Sequence, residues 1–215
     1  VHPQFSLRFK LKAIQMRRNG QRSNESKSVL RSELRTRRRE IPETTRTRFD
    51  RAICQHLQQL IEARGARSIA CYWPFNGEPD ILPLCRQLMA AGHRLALPVI
   101  AHDTGNLMTF RSWHENATLV ENRYGICEPV QSDIIPVTRF DLLMMPLVGY
   151  DRHGNRIGMG AGYYDRHLEL LRDSATPLRV GIAYSLQEID PIEKNKWDIP
   201  LHGVVNERGW FTFSG

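Results

Sequence analysis

Asp141-Leu142-Leu143-Met144-Met145-Pro146-Leu147-Val148 runs directly into Gly149-Tyr150-Asp151-Arg152-His153-Gly154-Asn155-Arg156-Ile157-Gly158-Met159-Gly160-Ala161-Gly162-Tyr163-Tyr164-Asp165. The opening of this stretch is almost continuously apolar, as expected of a strand buried on both faces of a parallel sheet. Four glycines, Gly154, Gly158, Gly160 and Gly162, then fall within nine residues, and Tyr163 to Leu171 reads as a helix. A buried strand, a glycine-dense loop and a helix make the unit from which open α/β sheets are assembled, with ligands at the carboxyl ends of the strands. Glycine there permits φ > 0 and close backbone approach, while consecutive amides and the helix start direct partial positive charge at one spot. The stretch predicts an α/β sheet and, at this loop, a bound phosphate.

Outward from the loop the same grammar repeats. Lys27 to Ile41 reads as an Arg-rich helix, and Pro42-Glu43 starts a second one with Ile53, Leu57, Leu60 and Ile61 at helical spacing and Gly65 as its stop. Strands are predicted at Ser68 to Trp73, Arg94 to Val99, Leu107 to Trp113, Leu178 to Tyr184, Val204 to Asn206 and Trp210 to Phe213. A helix from Ile81 to Ala91, closed by Gly92, separates the first two. Strands alternating with helices imply a mainly parallel sheet with helices on both faces.

The chain has 215 residues and 41% hydrophobic content, which suits one medium domain with a real core. Its apolar runs are too short to span a bilayer, so a protein without a membrane partner is expected. Cys54, Cys71, Cys85 and Cys127 form no CxxC pair, and they read as reduced thiols in the cytoplasm. The net charge of +7 invites a nucleic-acid reading, but its distribution argues against one. Residues 1–48 hold fourteen Lys/Arg against four Asp/Glu, and the other 167 hold sixteen against nineteen. The basicity belongs to the N-terminal segment, where a solvated helix face accounts for it, and no nucleic-acid partner is expected. Residues 1–26 carry no core pattern and no secretory signal, and they read as a basic, disordered extension before a single domain at 27–215.

Two common phosphate motifs are absent. No G-x-x-x-x-G-K-[ST] occurs, and Gly158, Gly160 and Gly162 are spaced G-x-G-x-G instead of G-x-G-x-x-G, which disfavours a dinucleotide fold. The loop alone says phosphate, with a turn that merely packs helix against strand as the bland alternative. The run from Met145 through Asp151, continued by Gly154 through Arg166, closely resembles the signature of the 5-formyltetrahydrofolate cyclo-ligase family. The similarity extends from about Lys27 to the C-terminus. It implies a single Rossmann-like α/β domain, ATP as co-substrate, Mg²⁺ as cofactor and 5-formyltetrahydrofolate as substrate. It also implies a phosphorylated formyl intermediate that the folate N10 attacks, in a cytoplasmic enzyme expected to be a monomer.

Residue by residue, the resemblance implies ATP binding by Lys27, Arg31, Arg156, Ile157, Gly158, Met159, Gly160, Ala161, Gly162, Tyr163 and Tyr164. Lys27 and Arg31, one helical turn apart, point the same way. Arg156 is expected to face the cleft and grip phosphate oxygens with two parallel bonds, and with Tyr163 it is the catalytic candidate. Trp73, Glu78, Met159, Gly160, Ala161, Gly162 and Tyr163 are the substrate positions, with an aromatic wall for the pterin and a carboxylate for its amino and ring nitrogens. Tyr164 remains an alternative to Tyr163 as the inward member of the pair. Asp165 and Asp198 are the candidate Mg²⁺ ligands, hard oxygens of the kind that cation prefers. Met159 and Ala161 stand where many family members carry basic residues, so phosphate contact falls more heavily on backbone amides, Arg156 and metal. His153 and His167 flank the loop and are expected to be exposed. The rival readings are another small ATP-dependent kinase or ligase, or an RNA-binding role for the basic N-terminal segment.

Overall fold

The computed structural model describes residues 24–100, 108–172, 174–192 and 198–213. Most of the expected basic extension lies outside them, although the first helix already begins at Asn24. In chain order the elements are α1 (Asn24–Arg39), α2 (Glu43–Arg64), β1 (Ser68–Ala70), α3 (Leu82–Ala90), β2 (Arg94–Ile100), β3 (Met108–Trp113), β4 (Leu119–Glu121), β5 (Cys127–Pro129), β6 (Ile134–Ile135) and β7 (Leu142–Pro146). They continue with β8 (Gly149–Tyr150), β9 (Arg156–Ile157), α4 (Tyr163–His167), β10 (Leu178–Ile182), β11 (Gly203–Asn206) and β12 (Gly209–Thr212).

Eight strands form one sheet in the order β12-β11-β10-β7-β1-β2-β3-β6. Its five central strands, β11, β10, β7, β1 and β2, are parallel, and the flanking β12, β3 and β6 each pair antiparallel with their inner neighbour. The apolar run that opened the sequence reading is the central β7, where alternation sends Leu142 and Met144 to one face and Leu143 and Met145 to the other. The first face is covered by α2 and α3 through Ile53, Leu57, Leu60, Ile61, Leu84, Cys85 and Leu88. Pro42 starts α2, and Gly65, at φ 61°, ends it with its amide bonded back to the last turn. The second face is covered more thinly, by the single-turn α4, the 3₁₀ turn Glu169–Leu171 and the loop carrying Ile199 and Leu201.

Several expected elements are shorter than their patterns suggested. The helix predicted through Leu171 stops at His167 and continues as the 3₁₀ turn, because Leu168 leaves helical geometry at φ −96°, ψ 2°. Expected strand residues Cys71 to Trp73 lie beyond β1 and lead into a turn with Asn76 at φ 53° and Gly77 at φ 77°. The β4–β5 hairpin, β6 and the β8–β9 hairpin had no clear sequence signal, since strands of two or three residues show no period. Cys54, Cys71, Cys85 and Cys127 are free thiols. Among the described residues no helix is long and apolar enough to cross a membrane.

Candidate active site

The strand order locates the site. From β1 the chain crosses to β2 on one side and later returns to β7 on the other, so the sheet reverses direction of growth between β1 and β7. Such switch points leave a crevice at the carboxyl ends of the two strands. The residues leaving β1 are Cys71 to Glu78, and those leaving β7 run through the β8–β9 hairpin into the glycine loop. Two segments about eighty positions apart in sequence thereby face one crevice, with α1 across its mouth.

The β8–β9 hairpin is held by a buried carboxylate. Asp151, fully inaccessible, accepts bonds from the amides of His153 (2.9 Å), Asn155 (3.0 Å) and Ile192 (2.8 Å) and from the Asn155 side chain (2.9 Å). The glycines after it divide by purpose. At Gly154, φ is +78° and a Cβ would lie 2.7 Å from the Leu201 carbonyl, so packing alone requires glycine. Around Gly158 nothing lies within 4 Å of a Cβ position, so the open space there is available to a ligand. Arg31 of α1 donates Nε to the Gly158 carbonyl at 2.9 Å, which brings a guanidinium onto the loop. Lys27, one turn earlier, is half-buried on the same helix. Because α4 is one turn long, the helix dipole adds less positive potential than a full helix would, and side-chain cations carry more of it.

Arg156 departs from its expected pose. Its side chain is 6% exposed and donates Nη2 to Asp165 Oδ1 at 2.6 Å and Nη1 to the Ile199 carbonyl. The guanidinium therefore braces the Asp165 carboxylate instead of reaching over the loop, since a buried arginine takes the nearest carboxylate. Asp165 Oδ1 also accepts the Ile199 amide at 3.2 Å, which places it beside Asp198, the preceding residue. The Asp198 carbonyl accepts from Arg172 at 3.4 Å, and the buried Arg179 ties down the same segment through the Pro200 carbonyl at 2.9 Å. Asp165 keeps 26% of its side chain exposed. Among the described residues no three His, Cys, Asp or Glu side chains gather as a metal cluster. One or two carboxylates beside phosphate and water suit Mg²⁺ nonetheless, so the donors present fit that ion.

Opposite the loop stands Glu78. Its side chain is 7% exposed, Oε2 accepts the Phe75 amide at 3.1 Å, and Arg38 of α1 stands 3.9 Å from Oε1. Burial pushes the Glu78 carboxyl up to about 7, against the opposing pull of the Arg38 charge and the Phe75 amide. Arg38 is completely buried and donates to the Leu147 carbonyl (3.2 Å) and the Asn76 carbonyl (2.8 Å). Tyr72 fixes the far end of the turn by donating to the Pro79 carbonyl at 2.8 Å. Trp73, half-buried, meets Trp113 edge-on with ring centroids 6.0 Å apart. Tyr164 completes this side: its hydroxyl is buried without a hydrogen-bond partner, and burial followed by the Glu78 charge raises its pKa. A buried unpaired hydroxyl is costly, which marks a place where a ligand group can supply the bond.

Comparison with known proteins identifies the family of the chain. The profile of the 5-formyltetrahydrofolate cyclo-ligase family matches residues 23–207. The chain belongs to that family. It is 30% identical over 185 residues to the 5-formyltetrahydrofolate cyclo-ligase of Haemophilus influenzae, covering 85% of this chain and 98% of that protein. It is 41% identical over 143 residues to the Escherichia coli enzyme of the same name, 65% of this chain and 78% of that one. The solved structure of Aquifex aeolicus 5,10-methenyltetrahydrofolate synthetase superposes with a TM-score of 0.75 at 30% identity, covering 88% of this chain and 93% of that chain.

On this cyclo-ligase scaffold the sequence-selected residues fall into three groups. Arg31, Ile157, Gly158, Met159, Gly160, Ala161 and Gly162 meet at the loop, with Met159 47% exposed. Arg156 and Asp165 pair behind it, with Asp198 next in the chain to the Ile199 amide that Asp165 accepts. Trp73 and Glu78 stand on the β1 side, and Tyr164, packed against the second face of the sheet, feels the Glu78 charge. Tyr163 turns elsewhere: its hydroxyl lies 3.5 Å from that of Tyr124 and 3.4 Å from Arg123, at the tip of the β4–β5 hairpin. The inward member of the tyrosine pair is therefore Tyr164, because successive positions on one turn point in different directions. His153 is exposed as expected, but His167 is not: it packs edge-on against Phe110 at 5.4 Å, and burial lowers its pKa. Sequence reasoning missed Arg38. The available signal was that Arg38 continues the Leu30, Leu34 stripe of α1, and a cation on an apolar stripe implies a buried partner.

Proposed function

We propose that the chain converts 5-formyltetrahydrofolate and ATP into 5,10-methenyltetrahydrofolate, ADP and phosphate. The observation that carries this reading is the convergence, at the sheet's switch point, of an open glycine loop on one side and a buried carboxylate with an unpaired tyrosine hydroxyl on the other, within a family match spanning residues 23–207. The loop amides from Ile157 to Gly162, with Lys27 and Arg31, would hold the triphosphate, and the pterin would lie against Trp73, Glu78 and Tyr164. The loop between the two, Met159 to Gly162, borders both ligands, with Tyr163 at its exit.

A formamide is a poor electrophile, and phosphorylation gives its oxygen a leaving group. The formyl oxygen attacks the γ-phosphorus and ADP departs; N10 then attacks the formyl carbon, loses its proton to the departing phosphate or to solvent, and phosphate leaves. No side-chain nucleophile is required, so catalysis is positioning and charge stabilisation. Arg31 and Lys27 meet the phosphate charge, Arg156 fixes Asp165, and Glu78 accepts pterin N–H groups. Asp165 and Asp198 would hold Mg²⁺, which would supply charge neutralisation on the triphosphate. One chain carries both halves of the site, which supports a monomer acting on small molecules, and the free thiols of Cys54, Cys71, Cys85 and Cys127 suit a reducing compartment such as the cytoplasm.

Incubating the purified chain with 5-formyltetrahydrofolate, ATP and Mg²⁺ should make methenyl-folate absorbance appear, with one ADP formed per product. ADP formation with folate present but no methenyl product would instead favour a kinase of another substrate.

A further inference from the structure

Arg38 touches neither proposed substrate, yet it is a fully buried cation within reach of the site. It ties its own helix to two other segments through three contacts. Nη1 bonds the carbonyl of Leu147, at the end of β7; Nη2 bonds the carbonyl of Asn76, in the left-handed turn; and Nη1 stands 3.9 Å from Glu78 Oε1. The Leu147 carbonyl also accepts from the Gln187 side chain at 2.9 Å, so the anchor at the strand end is itself fixed. Other charged groups surround the turn without replacing Arg38. Arg35, with the Asn76 amide in its hydrogen-bonding orientation, meets that amide oxygen at 2.7 Å, and Arg46 caps the end of α1 by donating to the Arg38 and Arg39 carbonyls. Among the ionisable groups around Glu78 are also the phenols of Tyr72 and Tyr164.

We infer that Arg38 is a positioning residue for folate: it locks the Asn76–Glu78 turn onto the end of β7, keeps the Glu78 carboxylate aimed at the pterin subsite, and opposes the proton uptake that burial favours there. This rests on the proposed placement of folate beside Glu78. With the guanidinium present burial already lifts the Glu78 carboxyl to about 7; without it the carboxyl would keep its proton above neutral pH and could no longer accept two pterin N–H bonds, a loss confined to the folate side. Lysine can supply the charge, but its single ammonium on a flexible stem cannot span two carbonyls and a carboxylate in one plane.

The test uses the full chain and follows kcat/KM for each substrate between about pH 6 and pH 9 in Arg38→Met, Arg38→Lys, Glu78→Gln and the double variant Arg38→Met/Glu78→Gln. Arg38→Met should raise the folate KM at least about tenfold at neutral pH, leave the ATP KM within about twofold and move the acid limb of the folate profile upward by about one pH unit. Arg38→Lys should restore the limb but only part of the KM. In the Glu78→Gln background, Arg38→Met should add less than about threefold, since the group it positions is gone. Equal losses for ATP and folate with an unmoved limb, or the full Arg38→Met penalty persisting beside Glu78→Gln, would show a structural tie and overturn the inference. An unchanged folate KM in Glu78→Gln alone would remove the folate placement, and the inference with it; a raised KM there with none in Arg38→Met would remove the inference only. Should Arg38→Met fail to fold, Arg38→Lys with and without Glu78→Gln makes the same comparison.

Discussion

The two sides of the crevice are built in opposite ways. The side after β7 is local: Gly154 to Asp165 is one continuous stretch, and its main ion pair, Arg156 to Asp165, closes over nine positions. The side after β1 is assembled at long range, with Arg38 of α1 reaching Leu147 across 109 positions and Asn76 across 38. The local side offers open space and backbone amides, suited to a triphosphate that any such nest can hold. The long-range side offers buried, hydrogen-bonded and charge-tuned groups, suited to distinguishing one heterocycle from another. Affinity for ATP and selection of folate should therefore fail separately.

The largest effect is expected on the local side. Arg156→Ala should lower kcat/KM by at least about 100-fold, near 2.7 kcal/mol of transition-state stabilisation, because it frees the Asp165 carboxylate from its brace. It should also lower the melting temperature by several degrees, because truncating one partner of a largely buried pair leaves the other uncompensated. Kinetics beside a thermal melt check both, and an unaltered melt would mean that the pair is not formed in solution. Asp165→Asn should follow, with turnover reduced and the Mg²⁺ concentration for half-maximal rate raised about tenfold or more, since an amide is a weaker ligand for a hard cation. An unchanged metal titration would remove Asp165 from the metal site.

On the long-range side, Trp73→Ala should raise the folate KM about tenfold and the ATP KM little, read from separate saturation curves; matched losses would make Trp73 a packing partner of Trp113 and nothing more. The smallest effect concerns pH. The Glu78 carboxyl lies near 7 in the folded chain and lower when unfolded, so its contribution is fully present below its unfolded value and lost as pH rises through about 7. Unfolding free energies measured against Glu78→Gln should therefore show the unsubstituted chain losing ground on the order of 2 kcal/mol between about pH 5 and pH 8, whatever constant offset the unpaired Arg38 adds. A flat difference across that window would place Glu78 in water.

The sequence by itself determined the parallel sheet, the glycine loop and the family, because these depend on local apolar runs, backbone freedom at glycine and a contiguous motif. It also singled out Arg31, which does reach the Gly158 carbonyl. Only the tertiary structure decided which way the ambiguous side chains point. Tyr163 and Tyr164 are neighbours of identical type, and the hairpin tip at Tyr124 on one side and the pocket of Glu78 on the other separate them. Arg156 could reach a ligand or a carboxylate, and the nearness of Asp165 settles it. Arg38 looks like one more base in a basic helix until the folded chain brings Leu147, Asn76 and Glu78 around it. The reason is common to all three: a charged or polar side chain takes its role from its partners, and those partners lie too far along the chain for any local pattern to record.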